Sequence, residues 1–468
     1  MARQSDNPEP LRHNREPRPG QSPDSDGERR GAERSGVLRI LSPSIIGIIG
    51  IGIVSVGGAV AFDYISPGKL LTANTIGAAT STDAGVPPAK TLEERIAEAR
   101  ARSANAKGVY MTSAVANDRG RAATKLREDI LRLLDETELN AVVIDIKETS
   151  DGLIITETLR ELVRNLHGRG AWVIARQAVF KDDSQEKAHP DWYLKWPDGR
   201  IWRDNRKGSW LDPAHREVWN YEVRVAKQAV DAGFDEVQLD YVRFPSDGDV
   251  KNIVYPVYRS KEQKRYDVLR AFFEYFNREM KTYKPEVMLS ADLFGYVAIN
   301  HQDLGIGQRL ADIGANFDYI SLMVYPSHYY AGFQVAADPE RNLPALAYPY
   351  RAKNVAIIAP NQPFDVVYRS MLIASDFLAG KQASTTAIAA GGNATSSPPA
   401  AAAPRSGAKM RPWLQDFDLG ADTNRGVVYD AAKVRAEINA AEQAGTSGWL
   451  LWNPSNVYTR AALKPEAP

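Results

Sequence analysis

The chain has 468 residues, 58 Lys and Arg against 58 Asp and Glu, 44% hydrophobic residues and no cysteine. This is a globular composition, which excludes a wholly disordered or fibrous chain, and the zero net charge speaks against a broadly basic nucleic-acid binder. Without Cys there is no disulfide framework, thiolate zinc site, iron–sulfur cluster or thiol nucleophile. The six His form neither His-x-His nor His-Glu-x-x-His, so the sequence predicts no metal and no cofactor.

Residues 1–43 are rich in Arg, Pro, Gly, Ser, Asp and Glu and predict a disordered tail, because they cannot bury a core. Residues 44–62 (SIIGIIGIGIVSVGGAVAF) carry no charge and are long enough to cross about 30 Å of hydrocarbon as a helix. Arg29, Arg30, Arg34 and Arg39 precede this run, whereas Asp63 follows it and Lys69 is the next cation. The positive-inside rule then puts the tail in the cytoplasm and the remainder in the periplasm or outside the cell, on a single-pass membrane protein. A cleaved signal peptide with its site at Ala59-Val60-Ala61 is the alternative; the long leader and apolar run favour a retained span. Residues 63–105 are expected to be a flexible spacer, 382–407 a low-complexity surface insertion, and 461–468 a tail. The sequon Asn393-Ala394-Thr395 in the insertion is of a length that arises by chance.

Between these segments, short apolar, β-branched-rich runs predict eight strands at 108–112, 141–147, 172–176, 236–240, 287–292, 319–325, 410–415 and 448–452. Helical periodicity intervenes at 124–137, 155–167, 215–232, 266–283, 308–315, 365–378 and 431–444. Strands alternating with helices imply parallel β-α-β units, and eight of them predict an α/β fold, a (β/α)8 TIM barrel over 106–460. A doubly wound open sheet is the other architecture of this class, but no G-x-G-x-x-G follows a strand.

In such a barrel the chemistry lies at the C-terminal strand ends, and residues two apart share a face. This groups Asp145 with Lys147, Ile174 with Arg176, Gln238 with Asp240, Ser290 with Asp292, and Ser321 with Tyr325. Asp145 and Lys147 also read as a structural ion pair, Arg176 as a partner for Asp145 or Asp240, and Tyr325 as core. Asp240 and Asp292 each end an apolar run, and an ionised carboxylate is costly to bury without a purpose. Two carboxyls in one mouth are what glycoside cleavage requires, one to protonate the leaving oxygen and one to attack or to activate water. Five of the nine Trp fall between 192 and 219, mostly in the long loop after the third strand. Trp196 and Trp202 are therefore candidate sugar platforms, and the competing reading is a loop mini-core. Trp413 and Trp452 are candidates for the floor of the same cleft.

The runs Gly108-Val-Tyr-Met-Thr, Asn140-Ala-Val-Val-Ile-Asp-Ile-Lys-Glu, Asp235-Glu-Val-Gln-Leu-Asp-Tyr-Val-Arg-Phe-Pro-Ser-Asp-Gly, Ser290-Ala-Asp-Leu-Phe-Gly, Ser321-Leu-Met-Val-Tyr-Pro-Ser-His-Tyr and Arg411-Pro-Trp-Leu-Gln-Asp-Phe carry a resemblance. In collinear order over about 106–459, they resemble the bacterial "putative glycoside hydrolase" domain family, long known as a domain of unknown function. The resemblance implies a TIM-barrel glycosidase-like fold and an envelope polysaccharide as substrate, and it supplies no catalytic pair. The insertion before Met410 departs from the short connection usual in that family.

The resulting expectation is a membrane-anchored glycosidase acting on an envelope or extracellular polysaccharide. Asp240 is the nucleophile or electrostatic stabiliser, Asp292 the general acid, and Asp416 the reserve acid, since one residue of register would exchange its face with that of Gln415. Asp145, Lys147, Arg176, Trp196, Trp202, Arg243, Tyr325, Gln415 and Trp452 are the expected substrate contacts. The competing reading from another class is a non-catalytic polysaccharide-binding or scaffold barrel, which fold alone does not separate from an enzyme. Polysaccharide deacetylation would need clustered metal ligands that the sequence does not offer.

Overall fold

The computed structural model describes residues 90–300, 303–381 and 406–466, all within one compact unit, Gly85–Pro468. The tail 1–43, the apolar run 44–62 and most of the insertion 382–407 lie outside the described residues. Among the described residues no helix is long and apolar enough to cross a membrane.

Eight parallel strands close on themselves: β1 (Ala106–Met111), β2 (Ala141–Glu148), β3 (Trp172–Ala178), β4 (Glu236–Asp240), β5 (Met288–Phe294), β6 (Tyr319–Met323), β7 (Trp413–Gln415) and β8 (Gly448–Trp452). β1 pairs with both β2 and β8, which completes the circle. Each predicted strand is found. A helix precedes the barrel, α1 (Leu92–Ser103), and seven alternate with the strands: α2 (Arg121–Glu136), α3 (Glu157–Gly168), α4 (Arg216–Asp231), α5 (Arg265–Tyr283), α6 (Leu310–Gly314), α7 (Pro363–Leu378) and α8 (Ala431–Gln443). The helices bury one stripe each, as in α4, where Val218, Trp219, Val223, Ala226 and Val230 lie at helical spacing against the sheet. Closure at the β8–β1 seam requires glycine: Gly448 has φ +84, and a Cβ there would stand 2.0 Å from the carbonyl oxygen of Ala106.

Two stretches expected to be unstructured are ordered. Within the predicted spacer, Thr91 and Glu94 form a reciprocal capping box that starts α1. The end of this helix plugs the base of the barrel, where Ser103 Oγ lies 2.7 Å from Tyr319 Oη and its carbonyl accepts from Arg411 at 2.8 Å. Within the predicted C-terminal tail, Ala462 and Leu463 are buried, and the Lys464 carbonyl accepts from the Glu138 amide at 3.0 Å. Both segments were read from composition, which records neither a cap nor a docking partner.

The barrel interior is layered. At the base, Trp172, Glu236, Tyr319 and Arg411 surround a buried ion pair of 2.9 Å between Arg411 and Glu236. Gln238 donates to Ser321 at 3.0 Å in the middle. Tyr110, Asp145, Arg176, Asp240, Asp292 and Trp413 fill the C-terminal end, where the chemistry of this fold is placed.

Candidate active site

Strand alternation brings four expected residues to one point. The Arg176 guanidinium donates to Asp145 through Nη1 and to Asp240 through Nη2, the latter at 2.5 Å, and its Nε lies 3.6 Å from Asp292. Nε makes no hydrogen bond, so the contact with Asp292 is the loose one of the three. Asp145 also accepts from the Tyr110 hydroxyl, and Asp292 from the indole N–H of Trp413 at 2.8 Å. Asp240 accepts from the amide of Tyr241 at 2.5 Å. Tyr241 is itself in the left-handed region at φ 53, an unfavourable conformation for a bulky residue, at the point where β4 turns into its loop.

One cation cannot neutralise three aspartates, and the surplus negative charge favours protonation of the most buried carboxyl. Burial, and then the charge of Asp240, hold the Asp292 carboxyl well above the usual carboxylate range. Burial raises Asp145 as well, against the opposing pull of Arg176 and Tyr110. For Arg176, burial works against the charged form, but Asp145 and Asp240 outweigh it and the guanidinium stays charged. Asp240 and Asp292 both lie against one guanidinium, at 2.5 Å from Nη2 and 3.6 Å from Nε. Asp240, with its side chain 10% exposed, is the more open of the two; Asp292 is 1% exposed.

A family model described as "Putative glycosyl hydrolase domain" matches residues 108–458. The chain belongs to that family. No curated protein matches it in sequence. Among solved structures, a hypothetical protein from Ruminiclostridium thermocellum is 28% identical over 39% of this chain and 96% of its own, with a TM-score of 0.33. An alpha-galactosidase from Thermus thermophilus, solved with p-nitrophenyl alpha-D-galactopyranoside, is 14% identical over 78% of this chain and 62% of its own, with a TM-score of 0.41. A maltogenic alpha-amylase from Thermotoga neapolitana is 12% identical over 47% and 49%, with a TM-score of 0.32. The chain thus spans about half to two thirds of the length of these two enzymes.

Aromatic residues wall the mouth of this glycosyl hydrolase domain. Trp452 stacks on Tyr110 at 4.0 Å and meets Trp413 edge-on at 5.5 Å, and the Arg176 guanidinium lies 5.0 Å from the Trp452 ring. Of the two tryptophans expected in the floor, Trp413 is buried and Trp452 is half-buried. Tyr325 is buried beside Asp292 and Asp240; burial and then their charges hold its hydroxyl well above the usual range. Arg243 is near Asp240, but its guanidinium is held between Trp210 at 4.7 Å and Phe294 at 4.6 Å and donates to Ser246 and to the Phe244 carbonyl. It shapes the wall, and both of these bonds are made by Nη1. Gln415 is fully buried and pins the turn after β6 through Ser327, to which it donates at 2.9 Å. It acts on the mouth only by positioning that turn.

Three expectations are corrected. Lys147 does not share a face with Asp145. Asp145 pairs with Arg176 but Lys147 with Gln177, so β2 has two residues where β3 has one, and this β-bulge turns Lys147 to the helix side. There it is fully buried, 2.9 Å from both Asp182 and Glu222. Asp416 does not reach the carboxyl pair: both its oxygens are taken by Thr459, at 2.6 Å from Oγ1 and 2.9 Å from the amide. Trp202 is fully buried with its indole N–H on the Asp249 carbonyl at 3.1 Å, so it has no face to offer a sugar. Trp196 is half-buried, 6.2 Å from Trp202. Along with Trp192, Tyr193 and Trp210 they form a mini-core, tied by bridges such as Tyr193 to Leu211.

Two mouth residues were not singled out from the sequence. Tyr110 is two positions beyond Gly108 on the inward face of β1, and a period-two reading of that strand would have found it. Glu148 is turned toward Asp145 and Arg176 by the bulge; burial and then the Asp145 charge raise its carboxyl, and it accepts from the Ser113 amide at 3.1 Å. Nothing in the residue pattern announces a bulge. Among the described residues no group of three or more His, Asp or Glu is placed to hold a metal ion; the three mouth aspartates have a guanidinium between them.

Proposed function

We propose that the barrel cleaves glycosidic bonds of an envelope or extracellular polysaccharide, with Asp240 and Asp292 as its carboxyl pair. The observation that carries this reading is the charge surplus at the mouth: one guanidinium among three buried aspartates, in which burial and the Asp240 charge raise the Asp292 carboxyl. A protonated carboxyl can give its proton to the leaving oxygen, and Asp240, as the carboxylate, can attack or stabilise the oxocarbenium-like carbon. Trp452, the most open ring of the mouth cluster, offers an apolar face to the sugar. Arg176 and Tyr110 hold the carboxylates in place and so act as positioning residues. A non-catalytic binding barrel is favoured by one fact, the tight Arg176 pair on Asp240; Asp292 within reach of the same guanidinium favours the enzyme.

The test is a pair of isosteric changes. Asp240→Asn removes the charge and should lower turnover at least about a hundredfold on every substrate while binding persists. Asp292→Asn removes the proton donor and should lower turnover on the polymer to a similar degree, but much less on an activated aryl glycoside, whose leaving group needs little protonation. With Asp292 as acid, turnover by the wild type should fall on the alkaline side as that proton is lost. Wild-type rates for Asp240→Asn would overturn the mechanism, and a wild type that cleaves no envelope glycan would leave the binding barrel.

The proposal includes anchoring through residues 44–62 with the barrel on the outer side of the membrane. The arginines before that run support it. A reporter fused after Pro468 should be active only outside the cytoplasm, and cytoplasmic activity would refute both the orientation and the envelope substrate.

A further inference from the structure

Building on the glycan-cleaving reading, we propose that the cleft formed by the loop after β6 is a second sugar position, one that takes an anionic sugar residue of the same glycan. The loop carries a two-stranded hairpin, Phe333–Val335 against Leu346–Tyr348. Beside it opens a cavity of about 400 Å³ lined by Tyr330, Gly332, Gln334, Pro349, Tyr350 and Arg351. That volume is within the range of small-ligand sites. Loops following barrel strands lie on the active-site face.

Three observations define the ligand. The first is a run of rings from the mouth to the cavity. Tyr325, beside Asp292 and Asp240, meets His328 edge-on at 5.2 Å; His328 stacks with Tyr330 at 5.7 Å; Tyr330 meets Tyr350 edge-on at 5.1 Å. Aromatic faces suit the C–H faces of sugar rings, and this run, buried at Tyr325, opens at Tyr330. The second is exposure: Tyr330 is 55% exposed, in a domain whose other aromatic side chains are mostly packed away. Its neighbour Gly332, at φ +84, would put a Cβ 3.0 Å from the Tyr348 carbonyl, so a glycine keeps this wall thin.

The third is charge. Arg351 lies 5.6 Å from the Tyr350 ring and Arg425 4.8 Å from it. Arg206, from the aromatic loop, is near enough to His328 and Tyr330 for its charge to act on both. Arg425 is committed to Asp422 and to the Tyr350 carbonyl. Arg206 and Arg351 are exposed and have no ion-pair partner among the described residues. Burial, helped by Arg206, pushes His328 down to about 4, so it is a neutral ring at neutral pH. Two uncommitted guanidiniums around an open tyrosine match a carboxylate or sulfate borne on a sugar ring, which a guanidinium fork binds through two N–H groups. A neutral sugar would use the ring and leave both cations unmatched.

The test measures binding by titration calorimetry on the full-length chain carrying Asp240→Asn, with three oligosaccharides of equal length: a hexuronate, a sulfated one and a neutral one. An anionic oligosaccharide should bind about tenfold or more tighter than the neutral one at low salt, with the preference shrinking as salt rises. Which anionic oligosaccharide binds identifies the group. Tyr330→Ala should weaken binding about tenfold and Tyr330→Phe should restore it. Arg206→Ala with Arg351→Ala should remove the anionic preference while leaving neutral binding in place. These side chains are exposed, and an unchanged melting temperature would verify that each variant is folded. Equal binding of all three oligosaccharides, binding of none, or a Tyr330→Ala protein as tight as its parent would overturn the proposal. The two readings fail separately. Turnover that depends on Asp240 with binding indifferent to Tyr330 and the arginines removes the second position alone; anionic binding that depends on them in a chain that cleaves nothing removes the enzyme and leaves the site.

Discussion

Two arginines stand inside the same barrel, one at each end, and they differ in what surrounds them. At the base, fully buried Arg411 faces one carboxylate: its Nη1 is 2.9 Å from both oxygens of Glu236, and its other donors go to the carbonyls of Ser103 and Ser447. Glu236 also accepts from the Trp172 indole at 2.8 Å. Every charge there has a partner of opposite sign, which is what burial of an ion requires. At the mouth, Arg176 faces three aspartates and leaves its Nε without a hydrogen bond. On the proposed function, it is charge stoichiometry that sets the mouth apart from the base. A one-to-one pair is neutral, whereas a one-to-three cluster carries surplus negative charge.

Exchanging the two roles should give the largest effects. Arg411→Met strands a buried Glu236 and should cost about 3 to 5 kcal/mol of stability, with turnover per folded molecule unchanged. Adding Glu236→Gln should recover most of that loss. Arg176→Met should instead lower turnover by on the order of a hundredfold through kcat, with a smaller loss of stability, because burial already raises the carboxyls of Asp145 and Asp292 and they can take up protons when the cation is removed. Denaturant unfolding and steady-state kinetics on the three proteins would decide it; equal unfolding costs with retained turnover in Arg176→Met would erase the distinction between the ends.

The aromatic loop gives an effect of similar size on stability alone. Trp202→Ala empties the centre of the mini-core and should cost about 3 to 5 kcal/mol, whereas affinity for glycan, measured at a temperature where the variant is folded, should hold. Loss of affinity without loss of stability would restore the platform role that the burial of Trp202 argues against.

Asp416 gives the smallest effect and depends on pH. Burial raises its carboxyl from 3.8 to about 6 in the folded chain. The folded state therefore binds the proton more tightly than the unfolded state. Its stabilising contribution is complete below about pH 4 and is lost as pH rises through about 6, on the order of 3 kcal/mol in all. Asp416→Asn should flatten that slope in unfolding free energy and leave turnover intact. A loss of turnover would return Asp416 to the carboxyl pair.

The sequence carried the barrel because each strand is a short apolar run and each helix a periodic one, and the convergence of Asp145, Arg176, Asp240 and Asp292 follows from strand ends and a period of two. What it did not carry depends on contacts between distant segments. The side on which Asp416 lies is decided by Thr459, 43 residues on. The state of Trp202 is decided by Asp249, across the next strand. Helix α1 was hidden in a stretch read by composition, although its capping box at Thr91 and Glu94 was legible.

The bulge in β2 reaches beyond this molecule. Up to Asp145 the strand shows its odd-numbered residues to the interior, and after the bulge it shows the even-numbered Glu148. The strand therefore changes parity once, and any alignment that lays it without a gap on a straight barrel strand will match Lys147 to the wrong column and assign Glu148 to the packing layer. Removing Ile146 by deletion would restore the regular alternation and leave both environments as they are, Lys147 on the helix side and Glu148 at the rim, so the one added residue sets the reading frame of the mouth.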